Sequence, residues 1–194
     1  FSRIKMDKLR RRILQDGRSL PGGILKVDSF LNHQLDPNLM MDIARAFATK
    51  LDGKPINKIV TIEASGIAPA IMLGYVMQLP VVFVKRKVPN TMEKYYVRDI
   101  HSFTKDRDYT ICISSDYLTP DDHIVFIDDF IAYGNVAKGI IDLCAQSGST
   151  IEAFGFVIEK KFQGGGDMLR AEGFDVCSLA TIIKLEDGKI FLND

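Results

Sequence analysis

HIVFIDDFIAYGNVAKG, residues 123–139, decides how this chain is read. Four apolar residues, Ile124 to Ile127, run into two adjacent carboxylates, Asp128 and Asp129. A short turn follows, and then a glycine that opens a helix. An apolar strand has no packing reason to end in two acids. Open α/β sheets bind ligands at the carboxyl ends of their strands, so the pair is read as functional. The turn from Ala132 to Val136 brings backbone N–H groups to a helix N-terminus, a geometry that suits a phosphate. Acids that accept from a diol, beside a phosphate cradle, point to a ribose-phosphate site. Alone, the pair would read as an N-cap acid next to a surface acid; the attached turn and helix favour function.

Working outward, strands and helices alternate. Met6 to Gln15 reads as a helix ending near Gly17, and Gly23 to Asp28 as a short extended piece. Asp36-Pro37 is a helix start, an N-cap acid with proline in the first turn. That helix runs to about Leu51. Strands are expected at Lys58–Ile62, Val81–Val84, Ile124–Ile127 and Ile151–Ile158, with helices at Ile67–Gln78, Asn135–Gln146 and Gly165–Ala171. Tyr95–Phe103 and Tyr109–Ser114 read as two strands about a turn. Phe174–Leu185 is a late strand, and Ile190–Leu192 pairs at an edge. The pattern predicts an α/β fold: a mostly parallel twisted sheet flanked by helices.

Composition narrows the partners. With 194 residues the chain builds one well-buried core and at most an appended lobe. Lysine and arginine number 25, aspartate and glutamate 25. A formal charge of zero gives no field that recruits nucleic acid or a membrane. No apolar run approaches the roughly 20 residues of a membrane span. Cys112, Cys144 and Cys177 lie far apart with no CxxC, which reads as reduced thiols of a cytoplasmic protein. Phe1 to Lys5 are read as a remnant preceding a native start at Met6. Lys5, Lys8, Arg10, Arg11 and Arg12 form a basic run, read as a solvated helix face.

Other stretches cluster chemistry at strand ends. In TIEASG, Thr61 to Gly66, a strand gives way to a tight turn and a helix, a second anion-binding candidate. It is not a P-loop, because GxxxxGK[ST] is absent. Two such turns on one sheet suggest two phosphate groups on one ligand. VKRK, Val84 to Lys87, adds three cations, of which Lys85 and Arg86 suit a diphosphate. The polar segment Val88 to His101 is placed to close over the site during catalysis and exclude water; otherwise it is a surface hairpin. VIEKK, Val157 to Lys161, puts lysine where a carbonyl oxygen would lie, and Phe162 or Phe130 offers a ring to a flat ligand. LKVDSFLNH, Leu25 to His33, reads as a binding loop in which Asn32 offers both a donor and an acceptor. His33, His101 and His123 lack metal-ligand spacing and none is assigned to catalysis. Gly164-Gly165-Gly166 lacks the context of a dinucleotide fingerprint and reads as a flexible turn.

FIDDFIAYGNVAKG resembles the PRPP-binding motif of the type I phosphoribosyltransferases. KVDSFLNHQLDP, TIEASGIAPA, PVVFVKRK, HSFTK and FVIEKKFQ, at matching spacing, are similar to the xanthine branch of that family. The resemblance covers essentially everything after Met6. It implies the type I phosphoribosyltransferase fold in one domain, 1–194, with a core over about 37–173 and a small hood lobe from 1–36 and 174–194. It implies the reaction of xanthine with PRPP to give XMP and diphosphate, in purine salvage. Asp128 and Asp129 then hold the ribose hydroxyls, and Ala132, Tyr133, Gly134, Asn135 and Val136 cradle the 5′-phosphate. Glu63, Ala64, Ser65 and Gly66 form the diphosphate loop, often with a strained peptide in this fold, assisted by Lys85 and Arg86. Leu25, Asn32 and Lys160 contact the base. Mg²⁺ is expected on the diphosphate, held mainly by substrate oxygens and water rather than by the protein, and the assembly is expected to be a homodimer.

The chain departs from most of the family at Tyr133 and Val136, where threonines are usual. The xanthine branch resembles this substituted form, so the change is read as a branch mark, with backbone N–H groups and Asn135 compensating. Glycosyl transfer of this kind needs positioning and charge stabilisation rather than a nucleophile. A guanine or hypoxanthine enzyme is the alternative, with the discriminating contact to xanthine's 2-oxo group near Asn32. A PRPP-sensing regulator on the same fold is the other; it needs a DNA-binding region, and the first 35 or so residues show no helix-turn-helix.

Overall fold

The computed structural model describes residues 2–102 and 107–193, with side chains over 7–101 and 108–193. The first helix, α1 (Ser2–Asp16), continues back through residues set apart as a remnant. An antiparallel pair follows, β1 (Arg18–Leu20) and β2 (Ile24–Lys26). Its turn uses Gly22 and Gly23 at φ +80° and +71°, values glycine adopts without Cβ strain. Asp28–Asn32, read as an irregular loop, is a short π-helical turn that buries Phe30 and Leu31. Helix α2 (Pro37–Lys50) starts as expected, with the Asp36 carboxylate accepting from the Asn38 and Leu39 N–H groups.

Strand β3 (Lys58–Ile62), helix α3 (Ile67–Met77) and strand β4 (Val81–Val84) form the first parallel unit. A separate antiparallel hairpin, β5 (Tyr95–Ser102) and β6 (Arg107–Ser114), comes next. Phe103, expected in the first of these strands, lies outside the described residues, as do Thr104 and Lys105 of HSFTK. Then come β7 (His123–Ile131), α4 (Asn135–Ser147), β8 (Thr150–Lys160), α5 (Gly165–Ala171), β9 (Val176–Glu186) and β10 (Lys189–Leu192).

Six strands make the central sheet in the order β10-β9-β8-β7-β3-β4. All run parallel except β10, which returns antiparallel along β9. From β3 the chain steps outward to β4; from β7 it steps the other way to β8. The strand order therefore reverses between β3 and β7, and a crevice opens at their carboxyl ends. The turn after β3 and the acids of β7 meet there. Successive residues of β7 point to opposite faces. Val125 and Ile127 join the apolar layer of α1, α2 and α3, while Ile124 and Phe126 join that of α4 and the β5–β6 hairpin. Phe126 meets Phe154 and Phe156 edge-on, with centroids 5.9 and 6.4 Å apart.

The C-terminal segment differs from its expected place in a lobe. β9 pairs with β8 from Phe154↔Val176 to Lys160↔Ile182, inside the central sheet. Its β-rich alternation gives β8 a second partner, which would otherwise be an open edge. The far ends of β9 and β10 pack against α1 and β1. The segment 174–194 thus belongs to the sheet at one end and carries the N-terminal segment at the other.

Candidate active site

The acid pair lies inside β7, not past its end. Pairing with β8 continues through Asp128↔Phe156 and Phe130↔Ile158 to Ile131↔Glu159. The Asp129 N–H donates to Asp128 Oδ1 at 2.9 Å, and the Phe130 N–H to Asp129 Oδ1 at 2.9 Å. Asp128 is only 7% exposed. Burial pushes its carboxyl well above the ordinary range and the Asp129 charge adds to this, with Arg86 offsetting part. Burial also raises Asp129, against hydrogen bonds from Asp128, the backbone and Asn32. Such a pair favours any ligand that brings donors or positive charge.

Beside it, Gly134 ends the turn at φ +85° and caps α4. A glycine cap has no side chain to give, so the first-turn N–H groups are left to a ligand. A cleft of about 160 Å³ opens there, lined by Asp128, Phe130 and Ala132 to Ala137, with His101, Tyr109 and Phe156 around it. Asn135 donates its amide N–H to the His101 carbonyl at 3.0 Å. Tyr133 is 49% exposed, and Val136 is half-buried.

The second turn, Glu63 to Gly66, reaches the acids directly. The Glu63–Ala64 peptide bond is cis. A Cβ on Gly66 would overlap Thr61 Oγ1 and stand 2.8 Å from Asp128 Oδ1, so only glycine permits this approach. Arg86 grips the turn: its N–H donates to Glu63 Oε1 at 2.7 Å and its Nε to the Glu63 carbonyl at 2.9 Å. Its guanidinium lies over the Tyr109 ring, 4.9 Å from the centroid. Lys85 is placed differently. Its backbone bridges Cys112, and its ammonium sits over the Phe83 ring at 4.7 Å. Of the two expected cations, Arg86 is at the turn and Lys85 faces the edge strand.

At the other side of the acids, Lys160 ends β8. Its Nζ donates to the Gly23 carbonyl at 3.1 Å and stands 5.6 Å from the Phe130 centroid. Burial lowers its pKa. Asn32 directs its amide N–H toward Asp129, and its Oδ1 is buried with no hydrogen-bond partner. Leu25 is packed into the core with Val27 and Phe30. Lys160 thus lies beside Phe130, and Asn32 beside Asp129, the residue before Phe130, while Leu25 is a core residue. Phe162 packs near Gly23.

The sequence reading missed what stands behind the first turn. Glu159, 1% exposed, takes a two-pronged bond from Arg170 at 2.8 and 2.7 Å and accepts from Ser178 Oγ. Burial opposes its ionisation, but these partners win and hold its pKa below the usual range. Of Gly164-Gly165-Gly166, read as a flexible turn, Gly164 is exposed at φ +81°, but Gly165 and Gly166 are buried and close-packed. The Gly165 N–H donates to the Ala132 carbonyl at 2.9 Å. A glycine triplet shortly after a buried strand's Glu159 was the only trace of this in the sequence.

Solved structures of one enzyme class share this fold. Adenine phosphoribosyltransferase from Rhodothermus marinus aligns with a TM-score of 0.76 at 21% identity, over 93% of this chain and 99% of that one. The enzyme from Saccharomyces cerevisiae, complexed with an imino-altritol bisphosphate and adenine, aligns with a TM-score of 0.75 at 19% identity, over 91% and 99%. The fold is that of the type I phosphoribosyltransferases. No protein-family model matches the chain. Whole-chain relatives are specific, however. Xanthine phosphoribosyltransferase of Finegoldia magna is 46% identical over 97% of this chain and all of its own length. That of Pseudomonas aeruginosa is 46% identical over 95% and 98%, and that of Moorella thermoacetica 45% over 97% and 97%. The chain belongs to the xanthine phosphoribosyltransferase family.

Proposed function

We infer that this chain transfers the phosphoribosyl group of PRPP to xanthine, giving XMP and diphosphate. The observation that carries the reading is the contact of Gly66 with Asp128: a diphosphate-sized anion turn and a diol-binding acid pair share one crevice. PRPP is the ligand whose two phosphate groups flank a ribose in that way. Asp128 and Asp129 accept from the ribose hydroxyls. The N–H groups of Ala132 to Val136 and the start of α4 hold the 5′-phosphate. Glu63 to Gly66, steadied by Arg86, take the diphosphate, with Lys85 as an outer cation. Lys160 and Asn32 address the base, with Leu25 behind them and Phe130 beside its ring.

When diphosphate leaves, positive charge grows at the sugar C1. The buried acid pair lies where that charge develops, in a setting that strengthens the attraction. A purine nitrogen then attacks, so the reaction proceeds without a nucleophile from the protein. The donor set fits Mg²⁺ carried in on PRPP: the residues at the diphosphate end are backbone groups and carboxylates, oxygen-rich and hard. Among the described residues no cluster of three His, Cys, Asp or Glu side chains is arranged to hold a metal. Bound on the diphosphate, Mg²⁺ would neutralise the leaving group, with Asp128 and Asp129 nearest to complete its shell.

The β5–β6 hairpin, tied to the cleft through His101 and Asn135, is the element we assign to closure. The N-terminal segment with the far end of β9–β10 forms the hood. Helix α3 is apolar on every side and leaves Ile71 54% and Tyr75 69% exposed, which supports a homodimer through this face. Three free buried thiols suit the cytoplasm, and among the described residues no helix is long and apolar enough to cross a membrane. The test is diphosphate release from PRPP and Mg²⁺ with xanthine, guanine, hypoxanthine and adenine in turn. Xanthine should give the highest kcat/KM; no turnover with xanthine would overturn the reading.

A further inference from the structure

Loops that grip phosphate through backbone N–H groups work only while the backbone stays in place. The turn from Ala132 to Gly134 is held from behind by α5, through contacts that only glycines permit. An added Cβ on Gly165 would lie 2.5 Å from the Ala132 carbonyl oxygen, 2.7 Å from the Gly134 nitrogen and 2.8 Å from the Tyr133 carbonyl carbon. One on Gly166 would overlap Glu159 Oε1. Neither glycine has a positive φ, so both are required for closeness rather than for conformation. From the other side, a Cβ on Gly134 would stand 2.6 Å from Met168 Cε and 3.2 Å from Gly165 Cα. Turn and helix are therefore in backbone contact.

What fixes α5 in turn is an ion pair between a buried carboxylate, Glu159, and the partly exposed Arg170. Arg170, in the last turn of α5, forks onto Glu159 at the end of β8. Ser178 of β9 bonds the same carboxylate. The phosphate turn is thereby referenced to two strands of the central sheet. Surface pairs are worth little, but Glu159 is buried, and without the forked bond from Arg170 its charge would be left uncompensated.

We propose that Gly165 is a positioning residue for the phosphate-bearing end of PRPP, and that the Glu159–Arg170–Ser178 clamp sets its position. The proposal rests on the reading of Ala132 to Val136 as the 5′-phosphate cradle. Glu159 and Lys160 are neighbours on β8 but point to opposite faces of the sheet, and the contacts of Gly165, Arg170 and Ser178 run to the turn and to Glu159, so the effect should fall mainly on one substrate.

The experiment is steady-state kinetics of the full chain with each substrate varied, on wild type, Gly165→Ala and Ser178→Ala. Gly165→Ala should raise KM for PRPP about tenfold or more, since small displacements of a positioning group cost that much. KM for xanthine should stay within about twofold. Calorimetric binding of ribose 5-phosphate to the same variant should weaken in parallel. If Gly165→Ala does not accumulate as folded protein, Ser178→Ala carries the test. It leaves the glycines intact and should raise KM for PRPP alone, about two- to fivefold. An unchanged KM for PRPP in the folded variants, or equal losses for both substrates, overturns the proposal. A wild type that binds ribose 5-phosphate but does not consume xanthine overturns the substrate reading and leaves the cradle testable by the calorimetry.

Discussion

Asp128 stands in tension with the fold that holds it. Its folded pKa is raised above the unfolded value, by burial first and by Asp129 next. Both states are protonated at low pH, where the residue costs nothing. As pH rises, the unfolded carboxyl ionises freely and the folded one does not, so stability is lost through that window up to the folded pKa. Asp128→Asn should therefore raise Tm by about 2–4 °C near neutral pH. The gain should vanish toward about pH 4. The same change should remove most activity; thermal melts across pH with a parallel assay check both halves. Asn32 carries a second prediction. Its N–H side is turned to Asp129, so it offers the base an acceptor. A buried acceptor without a partner calls for a donor, and a ring N–H of the base would supply one. Xanthine has N–H at both N1 and N3, whereas hypoxanthine has a bare nitrogen at N3. Asn32→Leu should lower kcat/KM for xanthine at least about tenfold more than for hypoxanthine; equal losses would sink this account.

Among elements, the turn after β3 is the most constrained. Gly66→Ala has no room between Thr61 and Asp128. It should cost at least about a hundredfold in kcat/KM for PRPP, measurable as initial rate at low PRPP. That turn, the acid pair and the α4 cradle were legible in the sequence because each is local: a buried strand, then polar residues, then a helix start. Strand ends were less so. Asp128 and Asp129 are charged, which argues against a strand, yet β8 continues to pair beyond them. Gly165 was misread for the same kind of reason. A glycine triplet has one local meaning, flexibility, and its real one depends on a turn about thirty residues earlier that no periodicity reveals. Lys85 was grouped with Arg86 by adjacency, and strand alternation sends them to different neighbours.

For the molecule as a whole, the exposed apolar side of α3 should be covered in solution. Tyr75→Glu places a charge there without touching the crevice. It should shift the sedimentation of the wild-type dimer toward monomer, by equilibrium or velocity ultracentrifugation at micromolar concentration; a monomeric wild type would refute the assignment. A lobe from both chain segments was expected from the resemblance; the pairing of β9 inside the central sheet was not. β9 pairs with β8 at one end and packs against α1. The bond from Lys160 to Gly23 joins residues 137 apart in the chain. During synthesis, the glycine leaves the ribosome long before the lysine that will bind it is made. A nascent chain halted before β8 already has its N-terminal hairpin and the strand bearing the acids, but not the lysine at the end of β8 that joins them. The tie between the N-terminal hairpin and the central sheet thus forms only after β8 has been made.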